Sequence, residues 1–251
     1  MNLFYSLKMK TVQFRKPNLV FYSALATIAL VVLSSCLKSV DTTPPKKQTY
    51  ISLLHLAPAA PPVDVYLNNT KSTATPVPSG SFFSRYSALD PNAYAVVFKK
   101  GNGDSVVASI PNDIYDSLKY HTLLLYNSPF GSGVEAERIE DDFTNFSNTL
   151  SNVRFFHVAP GLMPVDVYFD GTKVNTGRQY VDNVMNSFYN QFNTRDPGFY
   201  TVSVKKAGTD SLITQTSFTF QQAQIYTILL SGMPGAVGDH AIALDILQAS
   251  N

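Results

Sequence analysis

The feature that most constrains the fold is an internal duplication. Residues 51–71 align without a gap on residues 153–173, an offset of 102, and both segments read His-x-Ala-Pro and then Pro-Val-Asp-Val-Tyr. Further along, Asp90-Pro91 aligns with Asp196-Pro197 at an offset of 106, which places four extra residues in the second copy, before Ser187-Phe188. Two units of about 100 residues each have the size of domains and are too long for solenoid repeats.

The alignment divides the chain into four parts. We expect a signal peptide over residues 1–35, a lipidated cysteine and flexible tether over 36–49, a first repeat over 50–144 and a second over 152–251. The seam lies near Asn145 to Asn152. Later in the repeats, the alignment pairs Tyr120 with Tyr226.

Both repeats have the pattern of β-structure. Residues 63–68 and 165–169 alternate apolar and polar side chains, which is typical of strands with one buried face. The second copy continues into Asp170-Gly171, a type I′ hairpin signal, and the first into Asn68-Asn69, where asparagine also tolerates a positive φ. Short strands with regular turn signals predict an all-β protein of two tandem β-sandwiches.

At these residues the chain resembles the bacterial domain-of-unknown-function 4397 family. The shared pattern also includes Pro-Gly-x-Tyr-x-Val-x-Val, and the resemblance covers about residues 50–142 and 152–248. The second copy keeps Pro197-Gly198, whereas the first has Asn92-Ala93 after its proline. The family has no established function, so the resemblance implies no activity. The strand after the turn is also similar to immunoglobulin-like and prealbumin-like sandwiches, which is a likeness of fold alone.

The N-terminal residues have the composition of a secretory signal. Residues 1–18 hold four basic and no acidic side chains, and an apolar run of 15 residues follows at 19–33. That run is shorter than the roughly 20 residues of a spanning helix, which disfavours the alternative of an uncleaved anchor. Leu33-Ser34-Ser35-Cys36 matches the lipobox of bacterial lipoproteins. The match implies cleavage before Cys36 and acylation of that residue.

Composition excludes several classes of function for the exported part. Cleavage before Cys36 leaves 216 of 251 residues and removes four of the 19 Lys and Arg residues but none of the 18 Asp and Glu residues, giving a net charge of −3. This balance gives no support to nucleic-acid binding. Cys36 is the only cysteine, so the exported domains have no disulfide, cysteine nucleophile or thiolate metal site. We expect no cofactor.

A histidine and an aspartate recur at the same positions of both repeats: His55 and Asp64, then His157 and Asp166. One interpretation is a catalytic or metal-binding pair in each repeat. The other is structural, with a buried histidine bonded to the backbone or to the carboxylate. Metal sites usually have three or four protein ligands, so two per repeat favour the structural interpretation. We predict no catalytic residue and no metal site.

Two other groups are candidates for surface sites. Tyr66 and Tyr168 lie on the polar side of their strands, where they are candidate surface aromatics for a glycan or peptide. They could instead cover the outer face of the sheet or the contact between domains. An acidic cluster between Glu135 and Asp142 suggests a solvated loop, with a Ca²⁺ site as the alternative.

These features together predict a lipid-anchored envelope protein of a Gram-negative bacterium, at the outer membrane on its periplasmic face or at the cell surface. Its expected role is a non-catalytic binding or adhesion module for a glycan or an envelope protein, because two copies on one tether raise avidity. A structural envelope spacer is the alternative, and a hydrolase using the His/Asp pair is the second alternative. We expect the sandwiches to be filled by their own side chains.

The lipobox yields the first testable prediction. Metabolic labelling with an alkyne fatty acid should label the wild-type chain and leave a Cys36→Ala variant unlabelled, because the chain offers no other cysteine. Ser35→Ala, which keeps a small residue before the cysteine, is the control and should retain the label. Label on the Cys36→Ala variant would contradict lipidation at this position.

Overall fold

The computed structural model describes residues 47–249, which are almost entirely β-structure. The signal peptide, Cys36 and most of the tether lie outside the described residues. The prediction of two tandem β-sandwiches is confirmed. The strands of repeat 1 are β1 (Thr49–His55), β2 (Val63–Leu67), β3 (Thr70–Lys71), β4 (Ser81–Phe82), β5 (Ser87–Leu89), β6 (Asn92–Lys100), β7 (Val106–Tyr115), β8 (Tyr120–Asn127) and β9 (Val134–Glu140).

Repeat 2 repeats this order but has helical turns where repeat 1 has β4. A short helix, α1 (Asp182–Met185), and a 3-10 turn (Ser187–Asn190) lie between its third and fourth strands, and another 3-10 turn (Gly238–His240) precedes its last strand. Its strands are β10 (Ser151–His157), β11 (Val165–Phe169), β12 (Thr172–Arg178), β13 (Asn193–Arg195), β14 (Gly198–Lys206), β15 (Leu212–Phe220), β16 (Ile225–Ser231) and β17 (Ala243–Gln248).

Each repeat consists of an inner sheet, which faces the other repeat, and an outer sheet. The inner sheets have the orders β4-β1-β8-β9, with β5 also paired to β1, and β13-β10-β16-β17; the outer sheets are β3-β2-β6-β7 and β12-β11-β14-β15. β1 runs parallel to β8, and β10 parallel to β16. In immunoglobulin constant domains the first two strands share a sheet. Here they lie in opposite sheets, so the strand order differs from that of an immunoglobulin constant domain.

The hairpins after β2 and β11 have the geometry that their sequences predict. Asn68 and Asn69 have φ values of 46° and 68°, and Asp170 and Gly171 have values of 46° and 79°. Positive φ at both central residues is the requirement of a type I′ turn. The side-chain oxygen of Asn68 accepts from Ala95 N at 2.9 Å, and that of Asp170 accepts from Thr201 N at 2.8 Å. The two turns are therefore held by the same local bond.

The strand registers correct the alignment of Tyr120 with Tyr226, which is wrong by one residue. Tyr50 faces Tyr120 across the parallel pair, whereas its counterpart Asn152 faces Ile225. Ile225 is therefore the equivalent of Tyr120, and Tyr226 that of His121. The extra residue of repeat 1 lies in a β-bulge of β7 between Ile110 and Asp113, which β15 does not share. Pro111 lies in this bulge, a position that tolerates the missing N–H.

Each repeat has an apolar core between its two sheets. In repeat 1 the core includes Val63, Val65 and Phe98 from the outer sheet and Leu123 and Leu125 from the inner one. In repeat 2 it includes Val165, Val167 and Val204 from the outer sheet and Ile228 and Leu230 from the inner one.

A third apolar core lies between the repeats, where the two inner sheets pack against each other. Its buried members are Leu54, Leu56, Leu124, Tyr126, Ile139, Phe156, Val158, Val181 and Leu229. The strands β1, β8, β10 and β16 are therefore buried on both faces. This explains the continuous apolar runs at 123–126 and 228–230, since strands covered on both sides do not alternate. Over the described residues 47–249 the two repeats form one compact unit.

A buried ion pair accompanies this shared core. Arg154 Nη1 donates to Asp141 Oδ1 at 2.5 Å, and the two side chains are only 2% and 0% exposed. Asp141 Oδ2 accepts from Thr122 Oγ1 at 2.6 Å and from Tyr86 Oη at 2.7 Å, while Arg154 Nε donates to Thr227 Oγ1 at 2.9 Å. Both charges are thus paired and hydrogen-bonded, which a buried pair requires.

This arrangement overturns the expectation of a solvated acidic loop. Glu135, Glu137 and Glu140 lie on β9, and Asp141, which follows that strand, is 3% exposed. The reason is that β9 is a strand of the inner sheet, so its end meets repeat 2. Only the connection after it, residues 142–150, is largely exposed, whereas Ser151 and Asn152 are buried.

The second prediction concerns this pair. Asp141→Asn leaves the buried Arg154 without a counter-charge and should lower the free energy of unfolding by about 3–5 kcal/mol, measured by urea denaturation. Asp142→Asn is the matched control: it lies next in the chain, is exposed, and keeps the oxygen that accepts from Thr144 N. Equal stabilities of the two variants would refute the role of the ion pair.

Candidate functional site

The two recurrent histidines are fully buried at the ends of β1 and β10. His55 Nε2 lies 3.1 Å from the Pro61 carbonyl, and His157 Nδ1 accepts from Ala159 N at 3.4 Å. Burial lowers the pKa of His55, and it lowers that of His157 to about 4. The carbonyls of Pro61 and its counterpart Met163 oppose these shifts, although the contact from Met163 falls short of a full hydrogen bond to Nε2. Burial therefore favours the neutral form of both rings.

The two recurrent aspartates connect segments of the outer sheets. Asp64 accepts from Asn102 N at 2.9 Å and pairs with Lys71 at 2.9 Å. Asp166 accepts from Lys173 Nζ at 2.6 Å and from the backbone N–H of Gly177 at 2.8 Å and Gly208 at 3.1 Å. Each carboxylate thus joins its strand to the turn after β6 or β14.

These bonds stabilise the charged form of each aspartate. The Asn102 N–H, followed by the Lys71 ammonium, lowers the pKa of Asp64. The hydrogen bond from the Lys173 ammonium is the largest cause that lowers the pKa of Asp166. Asn102 and Gly208 occupy equivalent turn positions with φ of 56° and 71°, so the carboxylate supports a left-handed residue in both repeats.

The structure does not bring the histidine and the aspartate of a repeat together. Within residues 47–249 no hydrogen bond joins His55 to Asp64 or His157 to Asp166, and each of the four side chains has other polar contacts. No group of three or more His, Cys, Asp or Glu residues in this part of the chain is arranged to hold a metal ion. The contacts favour the structural interpretation of all four residues.

The candidate surface aromatics differ from the prediction. Tyr168 is 8% exposed, so it does not present a free face; Lys205 Nζ lies 4.8 Å and Lys173 Nζ 5.5 Å from its ring centroid. Tyr66 is half-buried with Lys99 Nζ 4.7 Å from its ring. Lysines that pair with or flank the aspartates cover these rings, which accords with the alternative that the tyrosines cover the outer sheet.

A cleft of about 500 Å³ opens in repeat 2 between the free edges of its two sheets, β12 and β13. The expectation that the sandwiches fill their own interiors is wrong for this repeat. Arg154, Arg178 and Arg195 also line the cleft, and the 3-10 turn contributes Phe188, which is 65% exposed, and Tyr189. Its apolar wall is made by core residues and one edge residue: Val153, Phe155, Val167, Phe169, Val174 and Ile228.

The two repeats differ in the residues that close this edge. Val77 faces Val63 in repeat 1, whereas Arg178 faces the equivalent Val165 in repeat 2. Leu89 faces Thr49, whereas Arg195 faces the equivalent Ser151. Val77 and Leu89 pack in the core of repeat 1. Two apolar positions have therefore become arginines in repeat 2.

The two arginines have different partners. Arg178 forms two bonds with Asp182, at 2.7 and 2.8 Å, and donates to the Phe155 carbonyl at 2.9 Å. Arg195 stacks on Phe169, with its guanidinium carbon 3.8 Å from the ring centroid. Within the described residues Arg195 has no ion pair and no side-chain hydrogen bond, so it is the cation of the cleft that lacks a counter-charge.

The sequence also contains an indication of this cleft, at a position where the two repeats differ. Arg195 stands immediately before the shared Asp-Pro, where repeat 1 has Leu89. Residues that are identical in both repeats are mainly those that build the common fold. A charged residue aligned with an apolar core position would have identified the cleft.

Comparison with protein families agrees with the duplication. The model of the domain-of-unknown-function 4397 family matches residues 49–161 and 151–248. The chain belongs to this family. The first match continues through β10, and the second covers the strands of repeat 2, so the two family domains correspond to the two sandwiches. No curated protein matches the chain. Among the described residues, no helix has the length and apolar character needed to cross a membrane.

The third prediction concerns the aspartates of this domain of the 4397 family. Asp166→Asn places an amide nitrogen or a weaker acceptor opposite three donors and should lower the melting temperature by about 2–4 °C, equivalent to roughly 1 kcal/mol for a chain of this size. We expect only this small loss of stability because solvent screens the ion pair with Lys173, whose side chain is 40% exposed. Asp170→Asn is the matched control and should be neutral, since repeat 1 has Asn68 there.

The effect should also depend on pH in a defined direction. Because the folded-state pKa of Asp166 lies below its unfolded value, the carboxylate stabilises the protein above about pH 4, and that contribution is lost as the pH falls through the folded pKa. The difference in melting temperature between the wild type and Asp166→Asn should therefore become smaller at acidic pH. An unchanged melting temperature accompanied by lost ligand binding would reverse the structural interpretation.

Proposed function

We propose that this chain is a lipid-anchored lipoprotein of the Gram-negative cell envelope that acts as a non-catalytic binding module for a glycan or an envelope protein. The lipobox at Cys36 and the preceding signal support the anchor and the envelope location, with the outer membrane as the expected membrane. A thioether-linked diacylglyceryl group together with an N-acyl chain supplies the two or more chains that stable anchoring needs. The membrane is thus one partner of the protein.

The observation that carries the binding role is the cleft of repeat 2. Its volume of about 500 Å³ lies within the range of known ligand sites, and apolar and polar side chains contribute about equally to its lining. The cleft also changes the argument from duplication. The two repeats are not equivalent at this edge, so the proposal rests on one site in repeat 2 and not on the avidity of two equal copies.

A hydrolase is disfavoured by the surroundings of the histidines. His55 and His157 bond to backbone groups, and in the described part of the chain neither is hydrogen-bonded to a serine or threonine hydroxyl. Nucleophilic catalysis needs the base within hydrogen-bonding reach of the nucleophile. Asp64 and Asp166 accept hydrogen bonds from turn residues and do not contact these histidines.

A structural envelope spacer is the second candidate, favoured by one specific observation. The inner sheets share an apolar core and a buried ion pair, so the two repeats form one body whose four sheets are stacked. A body of this kind keeps a fixed length. It needs no ligand to do so.

The fourth prediction separates these functions with the form lacking residues 1–36, because every described contact lies within residues 47–249. This form should retain a component from solubilised envelope or bind on a glycan array if the protein is a binding module. No binding, combined with loss of envelope integrity on gene deletion, would support the spacer. Turnover of ester, glycoside or peptide substrates that disappears in His55→Ala and His157→Ala would support the hydrolase.

A further inference from the structure

The charge in the cleft of repeat 2 is unbalanced by one positive unit. Arg154 and Arg178 line the cleft and are neutralised by Asp141 and Asp182, whereas Arg195 has no acidic partner among the described residues. The neighbouring polar side chains, Asn175 and Asn193, are uncharged. A guanidinium stacked on an aromatic ring leaves its edge N–H groups available for a planar anion. The cleft is therefore matched to a ligand with a single negative charge.

The wall of the cleft specifies the rest of the ligand. Val167 and Ile228, at 0% and 1% exposure, belong to the core of the sandwich, and Phe188 at the rim is 65% exposed. Because the core side chains are already covered, an apolar ligand body would gain its contact at the rim, where it would cover the exposed ring of Phe188. Burial of apolar surface stabilises such a contact by about 25 cal/mol per Å².

From this geometry we propose that the cleft of repeat 2 binds a small amphipathic monocarboxylate, with Arg195 holding the carboxylate and the exposed ring of Phe188 at the rim holding the apolar body. The inference deepens the proposed binding function and rests on it. A carboxylate presents two coplanar oxygens to a guanidinium, which permits bidentate pairing. A doubly charged phosphate fits less well, because the other two guanidinium groups, of Arg154 and Arg178, already have their own carboxylates.

Repeat 1 supplies the variant that tests the proposal. Arg195→Leu restores the residue that repeat 1 has at Leu89, so it should preserve the fold while removing the cation. Arg195→Lys retains the charge without the planar fork. Arg85→Leu removes an exposed arginine outside the cleft and is the matched control.

The fifth prediction uses calorimetric titration of the form lacking residues 1–36 with defined probes. The carboxylates 4-phenylbutyrate and octanoate are compared with the neutral 4-phenylbutanol and with inorganic phosphate. At least one carboxylate should bind with one site per chain, and its affinity should fall at least tenfold in Arg195→Leu but remain unchanged in Arg85→Leu. Arg195→Lys should keep part of the affinity. The alcohol should bind at least tenfold more weakly than its carboxylate, and phosphate should not bind.

Several outcomes would overturn the proposal. No binding by either carboxylate at millimolar concentration, equal binding by Arg195→Leu, or equal binding of the alcohol would each exclude Arg195 as a carboxylate site. Retention of an envelope component by both the wild type and Arg195→Leu would then leave the proposed function standing without this site. Carboxylate binding through Arg195 without any envelope partner would instead preserve the site and remove the envelope-binding function.

Discussion

The contact between the two inner sheets is the constraint on which the rest of the structure depends. β1, β8, β10 and β16 carry apolar side chains on both faces, so neither sandwich can stand alone without exposing a hydrophobic sheet. The interface also buries Arg154 and Asp141, which need each other because an unpaired charge in that position is strongly destabilising. The duplication has therefore produced one body with three cores. Two independent domains on a string would not bury these groups.

The local features of this body could be read from the sequence, but its interface could not. Alternation over residues 63–68 identifies a strand with one covered face, and Asp170-Gly171 identifies its turn, because both signals act within a few residues. The apolar run at 123–126 indicates that a strand is buried, but it does not identify the surface that covers the strand. Asp141 lies in an acidic stretch that resembles a solvated loop, since its partner Arg154 belongs to the other repeat. Partners across an interface leave no periodic signal.

The comparison of the repeats separates residues that build the fold from residues that distinguish one copy. His55 and His157, Asp64 and Asp166 are the same in both and have related backbone contacts in each. Because these residues recur, they were candidates for functional sites. Residues with a structural role are also expected to recur, since both copies have the same fold. The Tyr120 alignment failed for a related reason: identity of two tyrosines concealed the bulge in β7.

Differences between the copies carry more information about function. Repeat 2 buries less apolar surface at the sheet edge than repeat 1, because it has Arg178 and Arg195 at the positions of Val77 and Leu89. For Arg178 the structure offsets this with Asp182, on a helical segment that replaces β4 of repeat 1. Nothing in the described chain offsets the charge of Arg195 in the same way. A partly buried charge without a partner is unfavourable, and the carboxylate of a bound ligand would supply the missing partner. The open edge of repeat 2 is thus the place where the two copies stopped being interchangeable.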